Sequence, residues 1–188
     1  NVTDSLNVSK AAALFYVSPT QINFQIPDGL ASGTAAVTIT NSANVVSSGT
    51  VSIVNVVPGI FTLTSDGKGL PVAQLQRIRG TTDLGFENTF VLNGASWASV
   101  PIAWNDPNDN VYLVIYCNGV RHNSGLSGVS VNIAGTPLPV VYAGIQPYFT
   151  GVDQINALLP KTLAGSGNVN LSITVDGKTS NTVTINIK

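Results

Sequence analysis

Aliphatic side chains stand at alternate positions in segment after segment of this chain. Val37-Thr-Ile-Thr40, Val51-Ser-Ile-Val-Asn-Val56, Val129-Ser-Val-Asn-Ile133, Val169-Asn-Leu-Ser-Ile-Thr-Val175 and Val183-Thr-Ile-Asn-Ile187 all carry the pattern. Successive side chains of a strand point to opposite faces, so each segment has one apolar face and one face of Ser, Thr or Asn. A helix would need a period of about 3.6 residues, and no segment sustains one with caps at both ends. Lys161–Gly165 is expected to form a single helical turn at most. Asp28-Gly29, Ser48-Gly49, Asp66-Gly67, Asn93-Gly94, Asn118-Gly119 and Asp176-Gly177 punctuate the strands with turn chemistry. The pattern predicts an all-β chain of half-buried strands.

Composition narrows the setting. Charged residues make up 9% of the 188 positions, against about 25% in an average soluble protein. Ser, Thr, Asn, Gln and Gly must coat the surface instead, which points to a secreted or cell-surface protein. The net charge is −1 and the basic residues are scattered, with only Arg77 and Arg79 close together. Phosphate contacts dominate nucleic-acid affinity, so nucleic acid is not an expected partner. No apolar run reaches the roughly 18 residues of a membrane-spanning helix. The chain opens on Asn1 and contains no Met, which leads us to expect a processed piece of a longer protein. Cys117 is the only cysteine, so neither an intrachain disulfide nor a paired-cysteine zinc site can form.

One stretch recurs. Gln21-Ile-Asn-Phe-Gln-Ile-Pro27 and Gln154-Ile-Asn-Ala-Leu-Leu-Pro160 share Gln-Ile-Asn and a terminal Pro at one offset, residue 21 to 154 and residue 27 to 160. Leu30-Ala31 and Leu163-Ala164 follow at the same offset. A glycine comes next (Gly33, Gly165), then an alternating strand with Thr38-Ile39-Thr40 or Ser172-Ile173-Thr174. A Tyr-bearing strand precedes each copy, Leu14-Phe-Tyr-Val17 and Val140-Val-Tyr-Ala143. The second copy carries an insertion, Ile145–Gly151. Order, spacing and turn chemistry together predict an internal duplication. Alternation sends Ile22 and Ile155 inward and the flanking amides outward or toward a neighbouring loop.

The segments Tyr16-Val-Ser-Pro-Thr-Gln-Ile-Asn-Phe-Gln-Ile-Pro27, Pro58-Gly-Ile-Phe-Thr62 and Tyr142-Ala-Gly through Gly151-Val-Asp-Gln-Ile-Asn156 carry a family likeness over nearly the whole chain. The sequence resembles an uncharacterised family of C-terminal regions in large secreted proteins of soil acidobacteria (Solibacter-type). The resemblance implies a bacterial cell-surface or secreted location and immunoglobulin-like repeats of the IPT/TIG type. It brings no catalytic residues. The chain departs from the family at Cys117-Asn-Gly-Val, where a Gly-Thr-Gly turn is usual. The segment Asn88–Asn110 is also peculiar to it. The expected architecture is two immunoglobulin-like β-sandwich modules. The first spans 1–109 with a connecting segment and lacks its opening strands; the second spans 110–188.

Candidate sites are few. Asn105-Asp-Pro-Asn-Asp-Asn110 is the densest cluster of oxygen ligands. Asp106, Asn108 and Asp109 offer calcium-type donors, but no glutamate closes the loop and no glycine bends it, and Pro107 among Asx residues also describes a plain turn. Trp97 and Trp104, with Asn105, either contact a sugar through an exposed ring face or anchor the middle segment. Cys117 lies in the alternating run Val111–Cys117 and reads as a small buried side chain. A Cys117/His122 pair, or His122 with a carboxylate, is the only outline of a hydrolase. No Gly-x-Ser-x-Gly elbow, phosphate loop or paired acids accompany it. The expectation is a non-catalytic extracellular structural or adhesion-type module with no cofactor, the 105–110 loop being read as a plain turn with calcium as its alternative. Its partner would be a protein or polysaccharide at the cell surface. A carbohydrate-binding accessory domain is the alternative, and an enzyme is not expected.

Overall fold

Strand accounts for 53% of residues and helix for 3%, which makes the chain all-β. The computed structural model describes residues 1–188 and divides them into two compact units, 1–55 and 56–188.

The first unit holds β1 (Val2–Thr3), β2 (Ser9–Lys10), β3 (Leu14–Val17), β4 (Ile22–Phe24), β5 (Gly33–Thr40) and β6 (Val46–Ile53). Four of them form a sheet in the order β2-β1-β5-β6, while β3 and β4 make a separate two-stranded hairpin. Its only fully buried apolar side chains are Val2 and Ala35. Asp4, also buried, ties the β1–β2 turn by accepting the amides of Leu6, Val8 and Ala31. The Ala31 amide leads in holding its carboxyl below the usual carboxylate range, against a smaller opposing push from desolvation.

The second unit begins with β7 (Gly59–Ile60), β8 (Ala73–Arg79), β9 (Thr82–Asn88), β10 (Phe90–Asn93), β11 (Ser96–Ser99) and β12 (Asp109–Asn118). It continues through β13 (Val129–Ile133), β14 (Thr136–Leu138), β15 (Val140–Ile145) and β16 (Asp153–Leu158). It ends with β17 (Gly167–Val175), β18 (Lys178–Thr179) and β19 (Val183–Ile187). A six-stranded sheet runs β15-β16-β12-β8-β9, with β7 on the end of β12. A five-stranded sheet runs β14-β13-β17-β18, with β19 also on β17. Alternate residues of both sheets meet in one core: Leu113, Ile115 and Ile155 from the first, Ile133, Ile173 and Ile185 from the second. The arrangement is sandwich-like. Strands β10 and β11 form their own hairpin.

The segment preceding β12 is part of this sandwich. β8 pairs with β12 from Asp109↔Arg79 to Ile115↔Ala73, and Ile102 bridges to Ile187 of β19. The division expected at 109/110 falls on the first residues of β12, whereas the compact units part between 55 and 56. A ladder of seven residue pairs buries Leu75 and Ala73 with the inward face of β12, and that burial groups 73–79 with the strands beyond it. The expected helical turn is present as a 3-10 turn at Lys161–Leu163, with a second at Leu126–Gly128.

The repeated stretches occupy strands of equal register. Tyr16 stands opposite Asn23 and Val17 opposite Ile22; Tyr142 stands opposite Asn156 and Ala143 opposite Ile155. Each hairpin has a register shift just before its Tyr. The following strands agree as well. Gly33↔Ile53 and Ala35↔Val51 in β5–β6 have their counterparts in Gly167↔Ile187 and Val169↔Ile185 in β17–β19.

Candidate functional site: an aromatic and amide groove on the six-stranded sheet

Every second residue of β8, β12 and β16 points away from the core. On β12 this puts Tyr112, Val114 and Tyr116 outward, between the inward Val111, Leu113, Ile115 and Cys117. On β16 it puts Gln154 and Asn156 outward, on either side of the fully buried Ile155. Pairing then sets Tyr116 beside Gln154 and Val114 between Gln74 and Asn156. The outer face acquires a floor of amides and a phenol.

The floor is internally bonded. Gln154 Nε2 donates to Asn156 Oδ1 at 2.7 Å, which leaves the acceptor of one amide and the donor group of the other for a ligand. Tyr116 Oη donates to Gln74 Oε1 at 2.7 Å, and Gln74 Nε2 donates to Asn88 Oδ1 at 2.9 Å. Burial pushes the Tyr116 phenol above its ordinary value, so it remains a neutral donor and acceptor at physiological pH.

Aromatic walls rise on both sides. Phe86 of β9 stands opposite Gln76 and borders the groove at one edge. The insertion Ile145–Gly151 supplies the other edge with Tyr148 and Phe149, beside Tyr142 of β15. The side chain of Gln146 holds this loop. Though buried, its Oε1 accepts the amides of Tyr148 and Phe149, both at 2.7 Å. Tyr142 Oη bonds the Ile145 carbonyl at the loop's entry. The rings are thus presented outward on a fixed backbone, with Tyr148 84% exposed. The groove has a volume of about 730 Å3 and no charged side chain in its lining.

The residues singled out in the sequence lie elsewhere. Trp97, on the β10–β11 hairpin, packs edge-on against Phe90 with ring centroids 5.6 Å apart and is 41% exposed. Trp104 packs against the core, with its buried Nε1 lacking a hydrogen-bond partner. Neither these two nor Asn105 lines the groove.

The acids of the 105–110 loop face arginines. Asp109 is fully buried and accepts Arg79 Nε at 2.8 Å, with Arg77 Nη1 at 3.6 Å. Asp106 lies 3.5 Å from Arg79 Nη1 and caps its own turn by accepting the Asn108 amide. Arg77 also bonds Glu87 at 2.7 Å and the Ala103 carbonyl. The Arg79 hydrogen bond holds the Asp109 carboxyl below the usual range, and that of Arg77 does the same for Glu87. A cation at Asp106, Asn108 and Asp109 would have to displace guanidinium groups already seated there.

Cys117 is completely buried, and desolvation, with the Asp153 charge second, pushes its thiol far above the normal thiol range. A thiol in that state supplies no thiolate nucleophile. His122 lies exposed on the following turn. Asp153 is spent on structure, accepting the Val120 amide at 2.8 Å and Arg121 Nε at 2.8 Å.

Of the groove residues, the repeat in the sequence marks Tyr142, Gln154 and Asn156, and the insertion between its parts carries Tyr148 and Phe149. Gln74, Phe86 and Tyr116 were invisible, because nothing local says that β8, β9 and β12 lie side by side. Compared with protein-family models, curated proteins and solved structures, the chain matches none of them.

Proposed function

We propose that the chain is a non-catalytic extracellular adhesion-type protein whose second unit binds a neutral polysaccharide in the outer-face groove. The carrying observation is the combination of exposed rings, on a loop hydrogen-bonded to Gln146, with an uncharged amide floor. Sugar rings offer C–H faces that pack on aromatic faces, and their hydroxyls pair with amide donors and acceptors. A groove spanning the sheet from β9 to β15 suits an extended chain better than a compact ligand. With five strands at about 4.8 Å spacing it runs roughly 20 Å across. The buried Cys117 and the arginine-paired acids argue for binding without chemistry.

The test is calorimetric titration of the full chain with a panel of neutral polysaccharides. Tyr148→Ala combined with Phe149→Ala should weaken binding at least about tenfold, since each stacked ring is worth about 0.5–1.5 kcal/mol beyond its area. Binding that survives this double substitution would overturn the groove as the site, and binding lost in Trp97→Ala instead would place it on the β10–β11 hairpin.

We read the two units as copies of one immunoglobulin-like module of the IPT/TIG type, with the secreted or surface location in a bacterium that the acidobacterial resemblance implies. The equal registers of the two Tyr–Asn hairpins support this reading. An experimental structure in which β3–β4 and β15–β16 pair in different registers would rule it out.

A further inference from the structure

β16 and β4 occupy matching places in hairpins of equal register, yet their outer edges differ. In the second unit β16 is flanked by β12, with Ile115 opposite Ile155 and Leu113 opposite Ala157. In the first unit β4 pairs with β3 alone. Gln21 O and Gln25 N bond toward β3 and its flanks. Because backbone groups alternate sides along a strand, Ile22 and Phe24 direct theirs to the open edge. The apolar positions of β5 and β6 are also less covered than their counterparts in the second unit. Ile39 is 42% exposed where its counterpart Ile173 is 0%, and Val51 is 37% exposed where Ile185 is 2%.

Nothing in β3 or β4 guards the edge. Neither strand holds a charged residue or a proline, the usual devices against strand addition. The second unit displays the strand that fits such an edge: the stretch Val111–Cys117 of β12 is uncharged, with aliphatic residues and a buried cysteine facing inward. Charge character and side-chain alternation are therefore complementary.

We propose that the open edge of β4 forms a strand-acceptor site for an uncharged, extended polypeptide segment with aliphatic residues at every second position. The segment adds antiparallel to β4 in the register that β12 takes on β16. One residue sets its specificity. Phe24 stands where β16 has Ala157, opposite Leu113, so the incoming residue opposite Phe24 must be smaller than leucine. This site is independent of the polysaccharide groove, and its failure would leave that reading untouched.

The probe is a lysine-tailed synthetic peptide of residues 110–118 with Cys117→Ser and Leu113→Ala, titrated into the isotope-labelled full chain. Amide hydrogen exchange at Ile22 and Phe24 should slow, and the peptide that retains leucine should bind about tenfold more weakly because of overpacking against Phe24. Ile22→Pro in the protein removes one outward donor while leaving the β3–β4 bonds, and should weaken binding about tenfold. A proline at the centre of the peptide should abolish binding, a control that does not depend on how the protein variant folds. Unchanged exchange at Ile22 and Phe24 at saturating peptide would overturn the proposal. So would protection that grows with protein concentration alone, since a second copy would then be filling the edge.

Discussion

Gly119 carries the tightest single constraint in the chain. It has a positive φ of 68°, and a Cβ there would sit 2.0 Å from the Val57 carbonyl oxygen. That oxygen belongs to fixed backbone, because the Val57 amide donates to the Gly119 carbonyl at 3.0 Å. Gly119→Ala should therefore cost about 3 kcal/mol, combining left-handed strain with a clash that cannot be relieved by a rotamer. Chemical denaturation with an unchanged slope and a lowered midpoint is the expected result; a midpoint within experimental error of the parent would contradict the geometry. Asp109 and Glu87 set the acid limb. Their carboxyls are depressed by arginine hydrogen bonds, so the folded state binds fewer protons than the unfolded state at low pH. The stability they add is present above the unfolded carboxylate value near 3.8–4.5 and is lost as pH falls through the depressed folded values. The melting temperature of the second unit should be level from neutrality down to about pH 5 and drop below about pH 4. The same arginines predict that calcium leaves the melting temperature unchanged, whereas a chelator-reversible rise lost in Asp106→Ala would show a cation displacing Arg79.

At the scale of elements, the insertion Ile145–Gly151 is the part that turns a flat sheet face into a groove. Its rings are exposed and its backbone is held by Gln146, so it contributes little to the core. Replacing Tyr148 and Phe149 by alanine should leave the melting temperature within about 1 °C, as surface substitutions usually do, while binding falls. Gln146→Ala separates the two roles. It removes the acceptor for two amides and should loosen the loop, weakening polysaccharide binding through a faster off-rate without deleting any ring. The groove contains no group that titrates between about pH 5 and 9, and its Tyr116 phenol is shifted upward. Affinity should be flat across that range, and a marked pH dependence there would place the binding site outside the groove.

The whole molecule is unequal in stability. Among its largest fully buried side chains only Val2 belongs to the first unit; Ile102, Leu113, Ile115, Ile155, Ile173 and Ile185 all belong to the second. A buried Leu or Ile contributes about 1.5–3 kcal/mol, so local opening should cost far less in 1–55 than in 56–188. Limited proteolysis should trim the first unit and leave a resistant fragment beginning near Val56. Simultaneous loss of both units at all protease concentrations would refute this, and protection of the first unit by the strand peptide would add support to the acceptor site.

The alternation of Val, Leu and Ile with Thr, Ser and Asn was enough to specify the strands of the second unit and their inward residues, whereas in the first unit Ile39 and Val51 stand exposed and Ser48-Gly49, expected as a turn, runs straight through β6 because both residues are paired with β5. Period two is a local property of a stretched chain, readable one segment at a time. It placed Ile155 inside and Gln154 and Asn156 outside, and it put Cys117 in a buried row. Tertiary structure alone decided which strands are neighbours. A backbone ladder pairs with any extended partner, so the choice of β8 beside β12 rests on how Leu75, Leu113 and Ile155 fill one core. That choice drew β8 into one compact unit with β12, turned the acids of the 105–110 loop toward Arg77 and Arg79, and buried part of Trp104. It also brought Phe86, Tyr116 and Tyr148, distant in the chain, to the rim and floor of one groove, because a binding face is made of residues whose only common property is the sheet that carries them.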